Sequence, residues 1–161
     1  MDIDLPVPAT EPRRVIFLDI DGVVLPLSQP TRRRYEDCAQ DQIPLPLQRL
    51  VALLDEHPAI ELVLSSSWRI DYGIERAREL LPTRHRQRLI GVTPLIGNGS
   101  DRGEECQQWL AEQEENCLFS ALDDCRQLFA PDFKWLVLVN ARRGIDDESI
   151  CALKQALHLL I

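Results

Sequence analysis

Asp19 and Asp21 stand one residue apart at the end of the apolar run Val15-Ile16-Phe17-Leu18, and Gly22 follows them. A short, β-branched and aromatic run of this kind suits a strand buried on both faces of a parallel sheet. Glycine then lets the chain turn sharply, and both acids arrive where open α/β sheets bind ligands. Alone, the pattern is also that of an acidic turn closing a strand, or of the start of a calcium loop. The calcium reading fails because Val23-Val24-Leu25-Pro26 follows, without the oxygen ligands such a loop requires. Two further apolar blocks end in polar groups: Ile60 to Leu64 runs into Ser65-Ser66-Ser67, and Cys117 to Leu122 into Asp123-Asp124. Taken singly, the serines read as strand-end caps and the aspartates as a helix N-cap. If all three strands are parallel, their ends share one edge, and four carboxylates converge with a hydroxyl. Crowded carboxylates repel unless a cation intervenes. Oxygen ligands with no His or Cys pattern favour Mg²⁺, which keeps water for a phosphate group. Arg102, in the first turn of a helix entering that edge, adds a fixed positive charge.

The elements that must position these groups alternate along the chain. Residues 1–13, rich in proline and acid, read as a flexible arm, leaving 14–161 as a single domain. Residues 25–46, with four prolines and no period, read as a long loop or flap. Leu47, Leu50, Val51 and Leu54 predict a helix closed by Pro58. After the serines, a helix is expected around Ile74 to Leu81, then the basic run Arg84 to Arg88 as a short helix or loop. Leu89 to Thr93 reads as a short extended piece. Asp101 and Glu104 predict a capping box for a helix whose face carries Cys106, Trp109 and Leu110. Trp135 to Val139 reads as a strand, and Ile150, Leu153, Leu157 and Leu160 as the stripe of a last helix begun by Asp146, Asp147 and Glu148. Strands alternating with helices give an α/β fold with a doubly wound parallel sheet.

Composition narrows the class. A chain of 161 residues suffices for one core without metal or disulfide staples. Five cysteines, widely spaced and without a Cys-x-x-Cys pair, suit a reducing, cytoplasmic setting. The acidic, proline-broken start shows no signal peptide, and no apolar run approaches a membrane span. A formal net charge of −8 argues against broad polyanion binding but leaves room for a local basic patch.

The motifs Asp19-Ile20-Asp21-Gly22-Val23-Val24, Leu62-Val63-Leu64-Ser65 and Leu122-Asp123-Asp124 resemble, in this order, those of the haloacid dehalogenase-like (HAD) superfamily. Ser65-Ser66-Ser67-Trp68-Arg69 and Ile90-Gly91-Val92-Thr93-Pro94 are similar to small bacterial HAD domains of RNA-repair proteins. The resemblance implies a Rossmann-like HAD fold and phosphate chemistry, since dehalogenases of the superfamily lack the second aspartate. It implies Asp19 as nucleophile and Asp21 as proton donor and acceptor. Mg²⁺ would be held by Asp19, the Asp21 main-chain carbonyl, Asp123 and Asp124, and phosphate by Ser65, Ser66 and Arg102. Arg69 competes with Arg102 for the basic role.

Neither inter-motif gap is long enough for a large cap domain, so an open site is expected. A phosphorylated small molecule stands slightly ahead of a nucleic-acid end as substrate. Arg32-Arg33-Arg34, Arg84 to Arg88 and Arg142-Arg143 could guide a polyanion or serve as solvated surface. Tyr35 and Trp68 are the aromatic candidates near them. A signalling receiver domain is disfavoured because the Asp-x-Asp closes the first strand and no lysine stands directly after the last one, which ends at Val139. A HAD-like binding module without turnover is the other alternative.

Overall fold

The computed structural model describes residues 10–28, 43–97 and 101–159. Most of the N-terminal arm, Arg32 to Arg34, Tyr35, Cys38 and Leu160 lie outside the described residues. Five strands, β1 (Arg13–Leu18), β2 (Ile60–Leu64), β3 (Leu89–Val92), β4 (Cys117–Asp123) and β5 (Leu136–Leu138), form one parallel sheet in the order β3-β2-β1-β4-β5. The helices are α1 (Leu45–Glu56), α2 (Trp68–Asp71), α3 (Ile74–Leu80), α4 (Arg102–Ala111) and α5 (Asp147–Ala156). The sheet is doubly wound and Rossmann-like, with no large cap domain among the described residues.

Central strands read as solid apolar blocks because both faces are covered. Ile16 and Leu18 of β1 face a core shared with Leu50 and Leu54 of α1 and Leu153 of α5. Val15 and Phe17 point the other way, to Cys106 and Trp109 of α4 and to Phe129 and Phe133. Phe17 meets the Trp109 ring edge-on at 5.7 Å. The chain builds β1, β2 and β3 outward in one direction and then returns to add β4 on the other side of β1. That reversal leaves a crevice at the carboxyl ends of β1 and β4, where ligands bind in such sheets.

Helix ends follow the sequence with some adjustments. Pro46, placed in the loop by sequence, sits in the first turn of α1, where a missing N–H costs nothing. Asp101 makes half of the expected capping box, accepting the Glu104 N–H at 3.0 Å. The complete box is at α5, where Asp146 and Ser149 cap each other reciprocally. Arg84 to Arg88 lie in a 3₁₀ helix, Thr83–Arg88. Among the described residues no helix is long and apolar enough to cross a membrane.

Candidate active site

The parallel register decides which side chains meet. Leu18 pairs with Leu64 of β2 and with Leu122 of β4. One residue further, the Asp19 N–H donates to Leu122 O (3.1 Å) and the Ser65 N–H to Leu18 O (3.0 Å), so Asp19 is flanked by Ser65 and Asp123. The next turn is tight: the N–H groups of Val23, Val24 and Leu25 all donate to Ile20 O, each at 3.1 Å. It carries Gly22 at φ +81°.

Asp19, Asp123 and Asp124 each present a carboxylate oxygen within 4.8 Å of the other two. Asp19 and Asp123 are buried. Arg102 reaches between them, its Nη1 lying 2.6 Å from Asp123 Oδ2 and 3.2 Å from Asp19 Oδ1. The Cys125 N–H fixes the other Asp123 oxygen at 2.9 Å. Burial, followed by repulsion from Asp123, pushes the Asp19 carboxyl up to about 8 against the pull of Arg102. Burial also raises Asp123, although Arg102 draws it back. Burial alone would lower the Arg102 guanidinium, but Asp123 and Asp19 more than offset it and hold it above the ordinary arginine value. Hard oxygen donors crowded until one of them favours a proton are the donor set a small divalent cation relieves. The three acids therefore fit Mg²⁺. Asp21 is not one of this carboxylate group; its Oδ2 accepts the Trp68 indole N–H at 2.9 Å.

Ser65 and Ser66 diverge in their surroundings. Ser65 Oγ is buried and finds no hydrogen-bond partner among the described residues, a state that is costly unless a ligand or water meets it. Ser66 Oγ accepts the Trp68 N–H at 3.2 Å and so shapes the turn into α2. Arg69 belongs to that turn as well. Its Nη1 donates to Ser65 O (2.8 Å) and Ser66 O (2.9 Å), and its Nη2 meets Glu105 Oε2 at 2.6 Å. Of the two candidate basic residues, Arg102 lies among the acids, whereas Arg69 ties the turn after β2 to α4.

The basic run lies elsewhere. Arg88 donates to Ile60 O, Leu54 O and His57 O, at the start of β2 and the end of α1. Arg84 pairs with Asp55, and Arg86 donates to Leu81 O. At roughly 3.3 Å per residue, the five steps from Ile60 along β2 separate this cluster from Ser65 by about 16 Å. Arg142 and Arg143, by contrast, follow β5 at the acidic edge. Their loop is joined to the first acidic turn by Leu27 N–H to Ala141 O (2.8 Å) and Ile145 N–H to Val23 O (2.9 Å). Both side chains are exposed.

Three contacts were beyond sequence reasoning: the Trp68 bond to Asp21, the Glu105 partner of Arg69, and the contact of Gly22 with Asp124. A usable signal for Glu105 was an acid beside Cys106 on the helix's apolar face.

A doubly wound parallel sheet with Asp-x-Asp closing its central strand and a second acid pair closing the neighbour defines a HAD-superfamily domain. The chain belongs to the family described as the HAD domain in Swiss Army Knife RNA repair proteins, which matches residues 15–150. No curated protein matches it.

Proposed function

We propose that the protein is a Mg²⁺-dependent phosphohydrolase that cleaves phosphate monoesters through an aspartyl-phosphate on Asp19. The observation that carries this reading is the setting of Asp19, a buried carboxylate at a strand end with the unpartnered Ser65 hydroxyl on one side and the Arg102 guanidinium on the other. Such a pocket offers a nucleophile together with hydrogen-bond donors for the remaining phosphate oxygens.

In the first step an Asp19 oxygen forms a bond to phosphorus, the bond from phosphorus to the ester oxygen breaks, and protonated Asp21 gives its proton to the departing oxygen. In the second, the Asp21 carboxylate takes a proton from water as the water oxygen attacks phosphorus. The bond between phosphorus and Asp19 then breaks, releasing inorganic phosphate and restoring both acids. A divalent cation held by Asp19, the Asp21 carbonyl, Asp123 and Asp124 would supply neutralisation of the phosphate oxygens and of the acids themselves. Ser65 and Arg102 hold phosphate oxygens throughout, and Ser66 contributes by fixing the turn that carries Ser65.

The test is turnover of 4-nitrophenyl phosphate with Mg²⁺ by the parent and by Asp19→Asn. Turnover in the parent and none in Asp19→Asn is expected. Equal rates would overturn the nucleophile assignment. No turnover in the parent, with Mg²⁺ still bound, would leave the alternative of a HAD-like binding module.

A nucleic-acid end is the second reading for substrate. It is favoured by Arg142 and Arg143 at the acidic edge, and by the family's description as a domain of RNA repair proteins. Under it, Arg142→Gln/Arg143→Gln raises KM for a 3′-phosphorylated oligonucleotide and flattens its salt dependence while sparing 4-nitrophenyl phosphate. Replacing Arg84, Arg86 and Arg88 should not reproduce that pattern. An equal response of both substrates favours a phosphorylated small molecule, in keeping with the net charge of −8.

A further inference from the structure

Asp21 has two tasks under the proposed mechanism, giving a proton to one oxygen and taking one from another. Each demands a fixed carboxylate plane, because proton transfer needs heavy atoms about 2.6–3.2 Å apart. Loop residues do not hold such a plane by themselves. Here one carboxylate oxygen, Oδ2, is held at 2.9 Å by the indole N–H of Trp68, a residue 47 positions away.

The indole is in turn firmly held. Trp68 is only 4% exposed, and its ring packs against Tyr72 with centroids 4.7 Å apart. Its main-chain N–H donates to Ser66 Oγ. The next residue, Arg69, locks the turn by binding two of its carbonyls and the fully buried Glu105 of α4. The same short turn therefore carries Ser65, on the phosphate side of Asp19, and Trp68, on Asp21. Indole is a donor only and stays neutral, so it orients an oxygen without competing for the proton being moved.

We infer that Trp68 is a positioning residue for the acid–base function of Asp21, and that the Arg69–Glu105 pair holds it in register with the phosphate-binding Ser65. The inference rests on the phosphohydrolase reading above. An indole that merely satisfied its own buried N–H would affect stability alone. A positioning indole affects one kind of substrate more than another. An alkyl phosphate needs its leaving oxygen protonated as the bond breaks, whereas nitrophenolate leaves as a stable anion and needs little help.

Trp68→Phe keeps the ring and removes the N–H. We expect kcat/KM, which reports the transfer to Asp19, to fall about tenfold or more for an alkyl phosphate. It should change much less for 4-nitrophenyl phosphate. A second readout is independent of turnover and of metal. The chain has three tryptophans, so three indole N–H signals are expected in a proton–nitrogen NMR spectrum. The one removed by Trp68→Phe should move in Asp21→Ala. An unmoved Trp68 signal would overturn the inference, and if Trp68→Phe failed to fold, so would an Asp21→Ala spectrum in which none of the three indole signals moved. So would equal effects of Trp68→Phe on the two esters in a protein whose parent form is active. A parent with no turnover on either ester would instead overturn the phosphohydrolase reading, and this inference with it.

Discussion

A β-carbon placed on Gly22 would fall 2.2 Å from Asp124 Oδ2 and 2.8 Å from its Cγ. The glycine of the first acidic turn and the second acid after β4 thus compete for one space, and Asp124 occupies it only because Gly22 has no side chain. The same glycine sits at φ +81°, so the turn and the acid cluster depend on it for separate reasons.

Gly22→Ala should therefore weaken Mg²⁺ binding about 10- to 100-fold, the usual effect of disturbing a ligand's surroundings. Gly73→Ala is the control. Gly73 has a similar φ of +83° but nothing within 4 Å of an added β-carbon, so it should cost stability without affecting the metal. Calorimetric titration of both variants decides the matter, and equal Mg²⁺ affinities would refute the steric argument.

Asp123→Ala should weaken Mg²⁺ binding far more than Asp132→Ala. Asp123 is buried within the acid cluster, while Asp132 is exposed in the loop after β4. The same titration checks this, with Asp132→Ala expected to match the parent.

The pH dependence of stability has a definite sign. The Asp19 carboxyl is pushed from the ordinary 3.8 up to about 8 in the folded, metal-free protein. Between those values the folded state holds a proton that the unfolded state has released. The contribution is thus complete below the ordinary value and is lost as pH rises through about 8. Urea unfolding of the metal-free protein should show stability falling across this range. Asp19→Asn should flatten the fall, and saturating Mg²⁺, which favours the ionised cluster, should oppose it.

Glu105→Ala should destabilise the fold by about 3–5 kcal/mol, because it leaves the Arg69 guanidinium buried without its counter-charge. Replacing both residues with apolar side chains of similar volume should cost less. Denaturant unfolding of the single and double variants is the check.

The strands were legible because each is a run of apolar residues bounded by Pro, Gly or polar breakers. β2 matches its sequence boundaries at both ends, and β1 and β4 extend the expected cores by one or two residues. The weak edges were harder. β5 is shorter than the Trp135 to Val139 run, and α2 is four residues long, too brief for an apolar period to register. The basic run stayed open between two readings for a related reason: sequence shows charge but not what the guanidinium groups meet. Arg88 spends its donors on three backbone carbonyls at the far end of β2.

By itself the sequence determined the alternation of strands and helices, the acids and serine that end the strands, and therefore the chemistry available at one edge of a parallel sheet. These are local properties, written in residue type and spacing. Tertiary structure alone brought Arg102, already preferred from sequence, between the acids while turning Arg69 to Glu105, and it alone decided the bond from Trp68 to Asp21 and the space shared by Gly22 and Asp124. Those outcomes depend on pairs such as Asp21 with Trp68 and Arg69 with Glu105, 47 and 36 residues apart, brought together by strand order and helix packing. No local periodicity encodes such meetings, because each is fixed by the register of other elements rather than by the residues that touch.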